Sequence, residues 1–478
     1  KLSVTDINTY IIHLHVTHSH DDIKNELKSH NLHQDVNIKH YHYHAIHGMT
    51  ISLPGSPHHH VNILEKMNSF SGIKRIVKDT IKRLPDSALN NNQQKFQIVK
   101  DEEEEEEEKI DKASEADVTY EVTQTIRATV DLPWGVDFLD GATIDHSYTP
   151  SYTGKGVDVY VLDTGIDTNH NEFQHGNTER IVKNIYNIFS KNPVYDDDKN
   201  EIFAKNTDGQ GHGTHVAGTI GGLNVGISKD VNIFGVKALS DKGEALTSDV
   251  VRALDFVIEY HKSNRNSRPS MITMSLGGAC DTELCAEDTL VVAVEKLAMK
   301  GIVSSVASGN DNCNACTGSP NSAPSALNVG AIVHRSISTT NNHLFNKASF
   351  SDYGQCIDVF APGSSINSAL SSKRATGRED QYTTMSGTSM ACPHVTAVAA
   401  QLLEKFNDII KQGIQTSLIS VYSDPTQISS ALSLALTCDA KRDIIGFPER
   451  DTVTRNLAVQ IPKTITTTGS ESEYSYES

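Results

Sequence analysis

The 478 residues carry 42 Lys and Arg against 60 Asp and Glu, a formal net charge of −18. A chain so acidic lacks the basic surface that a phosphate backbone requires, which argues against nucleic acid as a partner. No uncharged apolar run reaches the roughly 18 residues that would span a bilayer, and the length implies more than one domain. The charge is unevenly spread. Residues 1–100 hold 12 Lys and Arg against 8 Asp and Glu, a balance of +4, together with 13 of the 22 histidines; the remainder holds 30 against 52, a balance of −22. The chain opens on Lys1, and no basic-then-apolar leader precedes Tyr10, so a sequence from which any secretory signal has been removed is expected. Seven cysteines include two close pairs, Cys280/Cys285 and Cys313/Cys316. These spacings admit zinc or disulfides; the lack of a clean two-knuckle arrangement favours disulfides in an oxidising compartment.

In chain order, residues 10–16 alternate like a strand. Ser19-His20-Asp21-Asp22 has the form of a capping box opening a helix to Ser29. Strand-like segments follow at 36–44 and 47–53, then a helix with Ser56 as N-cap and Pro57 in its first turn, then a strand at 73–77. The order β-α-β-β-α-β is that of a small ferredoxin-like α+β unit. Between about Pro85 and Asp131 the apolar signal fades, and Glu102 to Glu108 form an unbroken acidic run. Such a run must be exposed; a solvated spacer and a segment built to be cut are equally compatible with it. From Pro133 to about Phe406 strands alternate with helical patterns, at 157–162, 233–239, 272–275, 302–307 and 357–360. This predicts an α/β fold, a mostly parallel sheet with helices on both faces. Past Thr437 the chain turns polar and reads as a mobile tail.

Three stretches carry the chemistry. The apolar strand 159–162 ends at Asp163. Asp208-Gly209-Gln210-Gly211-His212-Gly213-Thr214-His215 leads, through glycines that permit close backbone approach, into a helix. Ser386-Gly387-Thr388-Ser389-Met390-Ala391 opens another. A serine becomes nucleophilic when an imidazole takes its proton and a carboxylate holds that imidazole in one tautomer. An Asp at a strand end with His and Ser at two helix starts can meet at the carboxyl edge of a parallel sheet. The chain order Asp…His…Ser is that of subtilisin.

Residues 133–405 closely resemble the subtilisin-like serine proteases, most of all the proteinase K branch. The motifs are 163–165, 211–215, Ser275-Leu276-Gly277-Gly278, 387–391, Phe234-Gly235-Val236-Lys237 and Ala307-Ser308-Gly309-Asn310. The resemblance implies a serine endopeptidase with Asp163 as orienting carboxylate, His215 as general base, Ser389 as nucleophile and Asn310 as side-chain oxyanion donor. It makes His212 a structural residue of the turn. It implies that Ser275, Leu276, Gly277, Ala307, Ser308 and Gly309 line the pocket for the residue before the scissile bond and pair with substrate backbone. Small uncharged lining residues suit apolar or aromatic side chains, and broad specificity is expected even with Asp311 nearby. It implies a structural Ca2+ held by the carbonyls of Pro324 and Ala326 and the carboxylate of Asp358, with no organic cofactor. Asp196-Asp197-Asp198 is either a second cation site or an exposed loop. The resemblance also implies a disulfide between Cys316 and Cys356; Cys280–Cys285 is a further expectation, and Cys392 the candidate free, buried thiol.

Residues 8–80 resemble the propeptides of the same family, which assist folding and then block the cleft. The expected organisation is a propeptide over 1–85, an acidic linker with the processing region over 86–131, a catalytic domain over 132–437 and a polar extension over 438–478. Self-cleavage is expected between Asp86 and Asp131. Protein substrates and the propeptide itself are the implied partners, of a monomer that is secreted or resides in an endomembrane or vacuolar lumen. His40, His42 and His44 fall on one strand face, with Tyr41 and Tyr43 opposite; protonation near pH 6 is expected to speed propeptide release. His58-His59-His60 is either a metal site or a solvated helix face. No Asn-x-Ser/Thr sequon occurs, so no N-glycosylation is expected.

Overall fold

The computed structural model describes residues 8–84, 131–141, 144–174, 179–190, 194–195, 201–202, 204–265, 268–280, 284–334, 345–375, 377–378, 380–412, 424–446 and 454–462. The acidic run, Asp196-Asp197-Asp198 and residues 463–478 at the end of the expected tail lie outside them.

The N-terminal unit comprises β1 (Thr9–Leu14), α1 (His20–Ser29), β2 (Asn37–His42), β3 (Gly48–Ser52), α2 (Pro57–Asn68) and β4 (Ile73–Lys78). Its sheet runs β2-β3-β1-β4. The capping box forms at α1, where the Ser19 hydroxyl accepts from Asp22 N–H and Asp22 accepts from Ser19 N–H. Ser56, by contrast, makes no side-chain cap bond; Pro57 starts α2 because its fixed φ suits a first turn. Ile12, Ile23, Met49, Ile51 and Met67 form this unit's own core. A further strand, β5 (Ile81–Arg83), escapes the sequence reading because its partners lie more than 160 residues away.

The main sheet is built on β6 (Asp158–Asp163), β7 (Val182–Asn187), β8 (Asn232–Lys237), β10 (Ser270–Met274), β11 (Ile302–Ala307), β12 (Leu327–His334) and β13 (Val359–Pro362); β9 (Glu244–Leu246) stands apart and pairs with β5. The order β13-β12-β11-β10-β6-β8-β7 is parallel throughout. Both faces of β6 are buried, as the continuous apolar run implies. Val159 and Val161 point to one face, beneath helices α3 (His212–Gly221) and α6 (Thr388–Lys411). Tyr160 and Leu162 point to the other, beneath α4 (Thr247–Tyr260) and α5 (Thr289–Ala298). From β6 the chain goes to β8 on one side and β10 on the other, so Asp163 ends a strand where the order reverses, a place that opens a crevice at the carboxyl edge.

The boundary expected at 437 falls inside helix α7 (Pro425–Asp439). Residues beyond it also join the fold: Leu457–Ala458 pairs with β13 and with Lys441–Arg442, and Ile461 N–H donates to the Leu139 carbonyl at 2.9 Å. Their low apolar density hides this role, since Ala440, Ile445, Leu457, Ala458 and Val459 are the residues of that stretch that enter the core. Among the described residues no helix is long and apolar enough to cross a membrane.

Candidate active site

Asp163 is buried at the end of β6. Its position is fixed by the Thr164 N–H, which donates to Oδ1 at 2.7 Å. The turn into α3 is built by a second buried carboxylate. Asp208 accepts from the N–H groups of Gln210, Gly211 and Thr214 and from the hydroxyls of Thr164 and Thr214, at 2.6–3.0 Å. Gly211 takes φ +98 and ends the turn. A Cβ at Gly213 would lie 2.1 Å from the Gly165 carbonyl oxygen, so only glycine lets the helix start reach the strand end.

That approach decides which histidine meets the carboxylate. His212 Nδ1 stands 2.9 Å and 3.0 Å from the two oxygens of Asp163. His215, expected as the base, does not reach it. Three residues further on, it lies almost a full turn deeper along the helix, where its Nε2 donates to the carbonyls of Ile366 and Thr383 at 3.0 and 3.1 Å. There it ties α3 to an antiparallel hairpin of Ile366–Ala369 and Tyr382–Met385. Burial and the nearby His212 pull its pKa down to about 3, so it stays neutral. It is therefore His212, and not the expected His215, that the structure sets against the carboxylate. With its Nδ1–H given to Asp163, His212 presents Nε2 as a proton acceptor, and that atom is buried with no hydrogen-bond partner.

Ser389 is the second residue of α6, with no exposed surface. Pro393 sits four residues on and has no N–H for the Ser389 carbonyl. The Ser275 hydroxyl donates to that carbonyl instead, at 3.0 Å. Ser389 Oγ in turn lies 3.4 Å from the Ser275 carbonyl, a long contact that leaves the hydroxyl weakly held. Asn310 completes the group. Its Oδ1 accepts from Thr388 N–H and the Thr388 hydroxyl, both at 2.9 Å, which fixes the amide orientation. Its Nδ2 is consequently turned away, buried and unpartnered, beside the start of α6. An unpaired buried donor is costly; one next to a candidate nucleophile suits negative charge developing there.

The flanking segments form a slot. Asn321 Nδ2 donates to the carbonyls of Ser308 and Ala315 at 2.7 and 2.9 Å and braces the turn after Ala307. Gly309 has φ +111, and a Cβ there would strike the Asp352 carboxylate. Asp352 accepts from the N–H groups of Asp311 and Cys313 at 3.0 and 2.9 Å, so the local charge is already engaged. Opposite stands β9. The slot between them is filled by β5: Arg83 exchanges both backbone hydrogen bonds with Gly277 (3.2 and 3.1 Å), Leu84 N–H donates to the Gly243 carbonyl at 2.9 Å, and Ile81–Arg83 pairs antiparallel with β9. Of the predicted lining residues, Gly277 makes this backbone pairing and Leu276 is buried in the core beneath.

The remaining predicted residues are distributed as follows. Disulfides join Cys316 to Cys356 and Cys280 to Cys285, while Cys313, Cys392 and Cys438 are free. Cys392 is buried against Thr273 and Ser305, and burial raises its pKa, which makes it an inert thiol. His394 is buried with Nδ1 on the Met390 carbonyl, and burial lowers its pKa to about 4. Asp358 lies beside the turn holding Pro324 and Ala326. Its Oδ2 accepts from Asn328 N–H at 2.9 Å, and burial raises its pKa. In that same turn Ser322 Oγ, Ser325 Oγ and Asn328 Oδ1 are buried without partners. A hard cation taking oxygen ligands fits these residues. Among the described residues no group of three or more His, Cys, Asp or Glu is placed so that it could hold a metal ion, His59 and His60 included.

Known proteins resemble the stretch of chain that carries these residues. The subtilase family model matches residues 154–431. The extracellular serine proteinase of Thermus sp. (strain Rt41A) is 39% identical over 317 residues, covering 65% of this chain and 67% of its own. The cuticle-degrading serine protease of Arthrobotrys oligospora is 38% identical over 283 residues, 58% of this chain and 60% of its own. Among solved structures, a cold-adapted subtilisin-like serine proteinase superposes with a TM-score of 0.52 at 32% identity, covering 70% of this chain and all of that one. The carboxylate-anchored imidazole, the helix-borne serine and the matched stretch together place this chain in the subtilase family of serine proteinases.

Proposed function

We propose that the chain is the zymogen of a serine endopeptidase in which Asp163, His212 and Ser389 form the catalytic triad and residues 8–84 act as an inhibitory propeptide. The observation that carries this reading is the strand β5, which lies in the slot between β9 and Gly277 and makes the backbone ladder a peptide substrate would make. A peptide in this register meets the Ser275 carbonyl, and with it Ser389, one residue beyond the position of Leu84. Self-cleavage then follows soon after the propeptide, at the start of the 86–131 linker.

In the proposed reaction Ser389 Oγ swings from the Ser275 carbonyl to His212 Nε2, gives up its proton there and attacks the scissile carbonyl. Asp163 holds the resulting imidazolium through Nδ1–H. The oxyanion is received by Asn310 Nδ2 and the Ser389 backbone N–H, and His212 returns the proton to the leaving amine. Small, uncharged Ala307, Ser308 and Gly309 suit broad specificity with apolar or aromatic residues before the cut. Pro324, Ala326 and Asp358 would hold a structural Ca2+, which would tie the start of β13 to the turn preceding β12. Secretion, or residence in an endomembrane or vacuolar lumen, accords with two disulfides. The released enzyme acts as a monomer.

A fluorophosphonate probe tests the reading. Label is expected on Ser389 only after the N-terminal segment is released, and a Ser389→Ala chain is expected to remain full length and unlabelled. Labelling at another residue, or processing of the Ser389→Ala chain in isolation, would refute it.

A further inference from the structure

We infer that the pocket holding the Lys82 side chain is a subsite selective for a basic residue, three positions ahead of the residue that faces Ser275, and that Asp288 is its specificity-determining group. The inference rests on the protease reading and concerns which peptides that cleft takes. Lys82 and Arg83 are adjacent cations on the strand that fills the slot, and alternation sends their side chains to opposite sides. Arg83 meets Glu244 at 3.0 Å at the surface, with 43% and 34% of the side chains exposed, a pairing that selects little. Lys82 turns inward. Its side chain is 1% exposed, its Nζ donates to the Ala279 carbonyl at 2.9 Å, and it stands 3.8 Å from Oδ2 of Asp288, which is wholly buried.

Asp288 is a permanent part of the pocket. Its Oδ1 caps α5 by accepting from Leu290 N–H at 2.9 Å and Val291 N–H at 3.4 Å, and it also accepts from the Ser319 hydroxyl. The Cys280–Cys285 bridge links the residue after Ala279 to the short turn that ends at Asp288, so both groups that receive the ammonium are tethered together. Gly278 lines the aliphatic stem: a Cβ there would touch Lys82 Cδ at 3.5 Å. Ala245, opposite in the ladder, leaves room on the other side.

A buried ammonium is tolerated only where a carboxylate and a carbonyl receive it. The converse gives the selectivity. A leucine in this pocket would leave the Ala279 carbonyl without the donor that Lys82 supplies and bring an apolar group against a buried carboxylate, and a glutamate would add a second negative charge. The pocket therefore favours lysine and also penalises its competitors. The front unit satisfies this with its own Lys82 and thereby competes with any substrate carrying a basic residue at that position.

The test uses the enzyme freed of its N-terminal segment by self-processing and fluorogenic peptides that differ only at the fourth residue before the scissile bond. Lysine is expected to exceed leucine by tenfold or more in kcat/KM, and glutamate to fall well below leucine. In Asp288→Asn, which retains a capping side chain, the lysine-to-leucine ratio is expected to collapse towards one. Equal rates for lysine and leucine in the wild-type enzyme would overturn the inference while leaving the protease reading intact, and this needs no variant to fold. Failure of the processed enzyme to cut any peptide would overturn both.

Discussion

Removing the Asp255 carboxylate should loosen the docked N-terminal unit, the proposed propeptide, without touching the proposed catalytic groups. Asp255, on α4, accepts from the backbone N–H groups of His44 and Ala45 at 2.8 and 2.5 Å, and its other oxygen stands 3.3 Å from His42 Nδ1. A hydrogen bond to a charged group contributes about 1.5–3 kcal/mol. The three share one carboxylate with 13% of its side chain exposed, so their effects do not simply add. Asp255→Ala would also strand two backbone donors at the interface. A net cost of about 3 kcal/mol follows, or roughly a 100-fold shift towards the undocked state. In the full chain this is expected as a shortened lag in the appearance of peptidase activity at neutral pH, with the final rate of the processed enzyme as in the wild type. An unchanged lag would show that the interface is held elsewhere, through Ile11, Ile46, Val77 and Leu84 in the shared core, and would refute the reasoning.

Four further outcomes are expected. His212→Ala should reduce kcat by about 10⁴-fold or more, whereas His215→Ala, which removes two buried hydrogen bonds, should lower Tm through a loss of about 2–4 kcal/mol and retain turnover; the reverse pattern would restore His215 as the base. Asn310→Ala should lower kcat about 10²–10³-fold with little change in KM. Mildly acidic pH should speed propeptide release. His13, against Thr289, is held down to about 3 by burial and by Arg75, Lys74 and His42, despite Asp288. His40 is held down to about 4 by burial and by Arg252, His42 and Lys39. A histidine whose docked pKa is depressed stabilises docking above its free value of 6.5 and loses that stabilisation as the pH falls. Arg75, Lys74 and His42 stay with the released unit, so docking supplies only the burial part of the His13 shift, and the effect at pH 5.5 stays below the roughly tenfold that a full return to 6.5 would give. Equal activation rates at pH 5.5 and 7.5 would contradict this. Chelation of calcium should lower Tm in the wild type and do so far less in Asp358→Ala, as read by thermal unfolding.

Local signals in the sequence located the reaction centre but did not orient it. The run into Asp163 and the Gly-rich starts of α3 and α6 are short-range features, and both helices begin at or within one residue of where the glycines place them. The choice between His212 and His215 turned on which face of α3 meets a strand 49 residues earlier. A usable signal lay in the glycines on either side of His212, since a Cβ is forbidden where two backbones nearly touch. Strand β5 had no local signature, because three residues acquire strand geometry only from β9 and Gly277. Lys82 and Arg83 were equally charged in the sequence; only pairing register sends one inward. The C-terminal strands were missed for the same reason, being two residues long and recruited by β13.

The slot that receives β5 has a consequence for what can be digested. Gly277 offers both its N–H and its carbonyl to the incoming chain, and Gly243 offers a carbonyl. A segment can satisfy these only when straight, with its own amide groups unengaged. A helix or a sheet interior must first surrender its hydrogen bonds, so the folded stability of the target, region by region, sets the rate as much as its side chains do. A proline at the position of Arg83 has no N–H to give Gly277, and such a stretch would pass uncut even in an unfolded chain.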